Sequence, residues 1–267
     1  MIDLGKRNIL GVGISAIDYD GCIERVAAAA KERRALTVSA MAVHGVMTGA
    51  LDPVQRYRLN QFDMLVPDGQ PIRWALSWLH RVRLPERVYG PSLMLRVCER
   101  AAADGLPIFL FGSTDEMLAA LKTRLIERFP RLNIAGMRAS RFRRLSHAER
   151  DSIVSEIRAS GAALTFIGLG CPRQEVWAFE FREALSMPLI AVGAAFAFHA
   201  GVLAQAPSHL QDWGLEWLFR LVHEPRRLWR RYLLLNPTFL TLLALELASL
   251  HVVEPEGAPP VEEMLYG

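Results

Sequence analysis

The sequence predicts an α/β fold: a mostly parallel sheet with helices on both faces, followed by a helical C-terminal appendage. Three observations lead there. Over the first two thirds of the chain, short apolar runs alternate with helix-patterned stretches. Gly, Pro and capping residues punctuate the joints. After about Gly201 the strand-like runs stop, and aromatic and arginine residues crowd into helical patterns.

Each element has its own signal. Ile9–Ile17 is apolar enough for a strand, and Asp20–Arg33 has helical spacing. Ala35–Val43 and Met64–Pro67 read as strands. Pro91–Ala103 is helical and Pro107–Phe111 a strand. Asp115–Phe129 places Leu118, Leu121 and Leu125 on one helix face. Leu132–Ala135 is a short strand. Ser146–Ala159 is a helix opened by a capping box, Ser146 with Glu149 three residues on. Ala163–Leu169 is a strand, Arg173–Leu185 a helix and Pro188–Val192 a strand. This is a Rossmann-like arrangement, in which ligands bind beyond the carboxyl ends of the strands. The expected division is an α/β catalytic domain over 1–207, a basic amphipathic helical appendage over 208–253 and a disordered tail over 254–267, rich in Pro and Glu.

Composition sets bounds. Of 267 residues 51% are hydrophobic and 22% charged, which suits a folded protein with a sizeable core. A net charge of +3 gives no reason to expect nucleic acid. Cys22, Cys98 and Cys171 are too scattered for a disulfide framework or a zinc site and suit a reducing cytoplasm. His44, His199, His209 and His223 lack metal-ligand spacing, so no metal or other cofactor is expected. The N-terminus has no apolar core of a signal peptide.

The segment Trp229–Val253 is interrupted by Pro237 and Glu246, with Arg230 and Arg231 at one end, so a membrane span is not expected. Arginines with Trp and Tyr at the boundary suit a helix lying in the interface, each basic residue gaining about 1 kcal/mol from anionic lipid. Packing on the core with the arginines outward fits the same pattern.

Three motifs can carry chemistry. Val66-Pro67-Asp68-Gly69 puts a carboxylate just past a strand, where it can take a proton from a hydroxyl. Taken alone, Asp68-Gly69 reads first as a turn. Gly168-Leu169-Gly170-Cys171-Pro172-Arg173-Gln174-Glu175 joins a strand to a helix, where backbone amides favour an anion such as a diphosphate; the alternative is an ordinary tight turn, but Gly, Pro, Gln and Glu together are more specific than a lone Gly pair. Gly11-Val12-Gly13 through Ala16, with Glu32 beyond, loosely fits a dinucleotide fingerprint, but no helix opens inside it. Gly112-Ser113-Thr114-Asp115 is either a ligand loop or a helix cap.

Together these residues resemble the WecG/TagA/CpsF family of bacterial glycosyltransferases, from about residue 8 to 240. The resemblance includes Pro67-Asp68-Gly69, Glu86-Arg87-Val88, Gly168 through Trp177, and Gly214 through Leu228 with its Glu-Trp-x-x-Arg and Glu-Pro-x-Arg pattern. It implies inverting, metal-independent transfer from a UDP-sugar of the N-acetylmannosamine, uronic acid or glucose type. The implied acceptor is a sugar on a polyprenyl diphosphate, and the implied place is the inner face of the bacterial membrane, held peripherally. It also implies roles: Asp68 as general base and Arg87 beside it. Substrate binding falls to Thr37, Ser39, Asn60, Gly112, Gly168, Gly170, Gln174 and Glu175, with Arg220, Arg227 and Arg230 from an appendage that docks on the anionic membrane surface and closes the site. Family members can self-associate, so a homo-oligomer is compatible. Ser39, Ser92, Ala197 and Gln205 depart from the residues common in the family, which bears on the donor sugar. Two other classes stay open: a nicotinamide-dependent oxidoreductase, which would bind NAD, and a non-catalytic sugar-nucleotide-binding membrane module, which would bind UDP without transfer.

Overall fold

Leu10 and Gly11 turn the first apolar run back on itself. In the computed structural model, Ile9–Ile17 is not one strand but part of a hairpin, β1 (Asp3–Ile9) and β2 (Val12–Ile17), paired antiparallel with Ile9 opposite Val12. Both turn residues have positive φ, 50° and 82°, as a two-residue hairpin turn requires. The structure describes the whole chain except Ser208, His209, Gln211 and Asp212 and the side chains of Arg227, Arg230 and Arg231. The expected boundary at 207/208 therefore falls outside the described residues.

The chain continues with α1 (Tyr19–Lys31), β3 (Leu36–Met41), α2 (Val43–Leu51), α3 (Pro53–Asn60), β4 (Met64–Pro67), α4 (Gln70–His80) and α5 (Gly90–Asp104). Then come β5 (Ile108–Gly112), α6 (Asp115–Arg128), β6 (Ile134–Arg138), α7 (His147–Ala159), β7 (Leu164–Gly168), α8 (Arg173–Leu185), β8 (Pro188–Ala191) and α9 (Ala195–His199). Helices α2, α3, α4 and α9 are additions to the elements expected from sequence. The predicted capping box is present: Ser146 accepts from the Glu149 amide, and Glu149 accepts from Ser146.

Strands β3 to β8 form one parallel six-stranded sheet in the order β4-β3-β8-β7-β5-β6. Side chains alternate between its two faces. Leu36, Val38, Ile108, Leu110, Leu164, Phe166 and Ile190 join α1, α5, α6 and α9 in one core. Phe109, Phe111, Ile167 and Leu189 join the hairpin and α2, α4, α7 and α8 in the other. The strands are apolar on both faces because both faces are covered.

The appendage comprises α10 (Glu216–His223), α11 (Pro225–Arg230), a π-helical turn (Arg231–Leu235) and α12 (Asn236–Leu247). It packs on the core through Phe239 and Leu243 while Val222, Leu233, Leu234 and Leu240 stay exposed. Glu246 accepts from the Leu10 amide at 3.1 Å, tying α12 to the hairpin. Among the described residues, no helix is long and apolar enough to cross a membrane.

Residues 254–267, expected to be a disordered tail, instead strap across the domain. Pro255 accepts from Asn60, and the Ala258 amide donates to Pro53. The Glu180 carboxylate accepts from the Met264 and Leu265 amides at 2.7 and 2.9 Å. Leu265 is buried, and its carbonyl accepts from Leu145 at 2.7 Å. Composition predicts disorder, but the acceptors and the apolar niche that hold this strap come from distant parts of the chain. Leu265→Ala should cost about 2 kcal/mol of stability, read by denaturant unfolding; an unchanged midpoint would mean the strap contributes nothing.

Candidate functional site

A cavity of about 330 Å³ opens at the carboxyl ends of the central strands, where a parallel sheet places its ligands. Its floor comes from Met41 and Ala42 at the end of β3, Asp68 and Gly69 after β4, Gly168 to Cys171 at the end of β7 and Val192 to Ala194 after β8. The appendage contributes Glu216, Trp217, Arg220 and Tyr232.

Asp68 is fixed by its backbone. Its amide donates to Met41 at 3.1 Å, just beyond the point where β3 and β4 pair, and Gly69 then caps α4. One carboxylate oxygen accepts from the Gly90 amide at 3.3 Å. The chain passes very close here. A Cβ on Gly90 would lie 3.1 Å from Ala40 and 3.7 Å from the other Asp68 oxygen.

A second carboxylate faces it from the appendage. Arg87 Nη2 meets Glu216 at 2.7 Å while Nη1 donates to the Asp68 carbonyl at 3.3 Å. The guanidinium lies 4.3 Å above the Tyr89 ring, and the Tyr89 hydroxyl donates to Glu216 at 2.8 Å. Burial pushes the Asp68 carboxyl up to about 6; Glu216 adds to the rise, while Arg87, the Gly90 amide and Arg220 oppose it. Burial works against the charge on Arg87, but Asp68 and Glu216 more than offset it and Arg87 titrates above its ordinary value. Burial likewise raises Tyr89, with Glu216 and Asp68 adding, so its hydroxyl stays a donor. A carboxyl poised near neutrality beside a fixed cation is what proton abstraction needs.

The opposite wall is the turn from β7 into α8. Gly170 has φ 79°, a conformation that favours glycine. Behind the turn, Glu175 accepts from Ser39 and from Gln174, each at 2.8 Å. Burial raises Glu175 against the pull of these donors. The buried Gln174 Oε1 has no hydrogen-bond partner, and a Cβ on Gly193 would come within 3.3 Å of it. Arg220, one turn after Glu216, lies 5.6 Å from the Phe198 ring centroid and pairs with Glu224 at 3.8 Å.

Of the residues expected in the site, Asp68, Arg87, Gly168, Gly170, Gln174, Glu175 and Arg220 line this cavity. Ser39 stands behind it, holding Glu175. Gly112 also stands behind: a Cβ there would meet the Gly168 backbone at 2.8 Å, so it serves the close approach of β5 and β7. Thr37 and Asn60 do not reach the cavity. Thr37 sits at the amino end of β3, four residues from Met41 and so about 13 Å away along an extended strand. Its amide and hydroxyl both donate to Asp63, at 2.7 and 2.9 Å. Asn60 instead clamps the hairpin, accepting from Gly13 and donating to Gly11 and Pro255. The side chains of Arg227 and Arg230 lie outside the described residues.

Tyr89 and Glu216 are the residues that sequence reasoning missed. The available signal was the four-residue spacing of Glu216 and Arg220, which puts both on one helix face. In Gly112-Ser113-Thr114-Asp115, Thr114 caps α6 through the Met117 amide, and Ser113 lines the cavity. The dinucleotide-like glycines sit in an antiparallel hairpin, where no helix start can receive a pyrophosphate. Among the described residues, no three His, Cys, Asp or Glu gather as metal ligands.

The glycosyl transferase WecG/TagA/CpsF family model matches residues 7–251, spanning every wall of this cavity. The chain belongs to that family and is a glycosyltransferase of cell-surface polysaccharide synthesis.

Proposed function

We propose that the chain transfers a hexosyl or N-acetylhexosaminyl group from a UDP-sugar to a sugar on a polyprenyl diphosphate, with inversion and without a metal. The observation that carries this reading is the pairing of one near-neutral carboxyl, Asp68, with the fixed guanidinium of Arg87 in the strand-end cavity. In the proposed reaction the acceptor hydroxyl oxygen attacks the anomeric carbon as the bond to the diphosphate oxygen breaks. The hydroxyl proton passes to Asp68. The electron pair leaves with the diphosphate, and Arg87 and Arg220 face the negative charge that develops. Arginine suits this because its planar fork meets two phosphate oxygens at once.

Glu216 holds the place of that charge. Its carboxylate sits on the Arg87 fork and on the Tyr89 hydroxyl, the donors a diphosphate oxygen would use. On this account donor binding displaces Glu216, and the start of α10 moves with it. Glu216 also raises Asp68. Glu216→Gln should therefore shift the acidic limb of the kcat/KM profile below about 6. A limb that stays in place would separate Glu216 from the base.

The Gln174 Oε1 acceptor beside Gly193 suits an N–H or hydroxyl of the donor. Ala197, one of the departures from the residues common in the family, lines the same cavity, and its small uncharged side chain bears on which donor sugar fits. The exposed apolar side of the appendage, with Trp213, Trp217 and Trp229 at its surface, supports peripheral docking on an anionic membrane. A thermal-shift panel tests the donor class. UDP should raise the midpoint and NAD should not; stabilisation by NAD alone would favour an oxidoreductase. Binding of UDP with no transfer to any acceptor would favour the non-catalytic module.

A further inference from the structure

We infer that the outer face of α4, carrying Trp74 and Trp78 with Arg81 and Arg83 just beyond, is a second membrane contact that takes an anionic lipid surface. It rests on the reading that the enzyme works at a membrane, but it places part of the footprint on the catalytic domain rather than on the appendage.

Helix α4 is strongly two-sided. Ile72, Ala75 and Leu76 are in the core, while Trp74 and Trp78, one turn apart, are 41% and 54% exposed. Their rings stack on each other, with centroids 6.2 Å apart and planes at 23°. Two indoles held side by side at the surface present an apolar body and a polar N–H, the combination that settles at the boundary of lipid and water. Single exposed apolar residues are ordinary; an ordered pair is not.

The charge around the pair points the same way. Arg81 and Arg83 are exposed at the end of the helix, and from Gln70 to Pro85 the chain has no acidic residue. The next one, Glu86, pairs with Arg96 at 3.7 Å. Cations beside an apolar strip match anionic headgroups.

The strip is also continuous with the appendage. At the start of α4, a Cβ on Gly214 would lie 3.4 Å from both Gln70 and the Trp74 ring, and Trp213 next to it is 68% exposed. At the other end, His80 lies close enough to Glu246 of α12 to lower its carboxyl, although burial raises it overall. The appendage therefore brackets α4 at both ends, and the exposed Trp213 borders the Trp74–Trp78 pair through the contact of Gly214 with Trp74. Gln70 lines the catalytic cavity, so this contact would set the cavity mouth at the lipid surface from which a lipid-linked acceptor rises.

Co-sedimentation of the full-length chain with vesicles of phosphatidylcholine and phosphatidylglycerol tests this. Trp74→Ser with Trp78→Ser should weaken binding by at least about tenfold. Arg81→Ser and Arg83→Ser should each weaken it about fivefold, an effect absent on pure phosphatidylcholine and lost at high salt. If the wild type fails to bind, the membrane reading of the whole chain fails. If the wild type binds and the tryptophan variant binds equally well, the α4 contact alone is wrong. The same holds if the substitutions change only the oligomeric state. Trp78→Phe guards against misfolding: in brominated-lipid vesicles it should lose part of the wild-type fluorescence quenching, and an unchanged quench would overturn the proposal.

Discussion

Asp68→Asn is expected to lower transfer about 10²- to 10⁴-fold while leaving UDP affinity within a few fold of the wild type. The amide keeps the shape of the carboxyl and can still accept from Gly90, so the turn after β4 is preserved; only the proton acceptor is lost. The wild-type kcat/KM should rise with pH and level off above about 6, the value to which burial first, and Glu216 second, lift the carboxyl. The residual activity of the variant should not follow that limb. A stability change comes with it, and its sign follows from linkage. A folded carboxyl titrating near 6 holds a proton that the unfolded chain, at about 4, has released. Wild-type stability contributed by this group therefore falls as pH rises from about 4 to about 6 and stays low above. Asn resembles the protonated form, so the variant should melt higher than the wild type at pH 8 and near it at pH 4. A variant with wild-type rates would remove Asp68 from the mechanism.

The second large effect is expected at Arg87. Arg87→Ala should cost about 10²- to 10³-fold in kcat, the loss typical of removing one preorganised group that meets developing charge. It also removes the positive charge that most strongly holds Asp68 down, so the acidic limb should move to higher pH. The two readouts separate catalysis from simple disruption, because a damaged fold would not move the limb in a defined direction. Arg87→Lys should restore little: a single ammonium cannot span Glu216 and the Asp68 carbonyl as the guanidinium does. Equal kcat in Arg87→Ala and wild type would show that the leaving group is met elsewhere.

These expectations depend on features that differ in how far they could be read in advance. The parallel sheet was legible because its strands are apolar on both faces and sharply bounded, as in Pro107–Phe111 and Ala163–Leu169. The first hairpin was not, because Leu10 and Gly11 sit inside an unbroken apolar run and only their positive φ marks the turn. Helix α3 did carry its signal: Asp52 before Pro53 is a cap, and Asp52 accepts from the Val54 amide. The strand-end turns at Asp68 and Gly168 were legible as candidate sites from position alone, although neither could be told from a plain turn. Thr37 shows the limit of carrying a motif over. Its partner Asp63 is set by the pairing of β3 with β4, and Thr37 lies at the amino end of the strand, away from the cavity. The spacing of Glu216 to Arg220 marks a shared helix face, but the pairing of Glu216 with Tyr89 is a contact between segments 127 residues apart, which no local pattern carries.

The most direct measurement is transfer by the purified chain, in excess chelator, from a panel of UDP-sugars to polyprenyl-diphosphate-linked acceptors, with the anomeric configuration of the product read by NMR. One displacement with Asp68 as the only base predicts a product whose anomeric configuration is inverted relative to the donor. A product that retains the donor configuration, or transfer that appears only when a divalent metal is restored, would contradict the account.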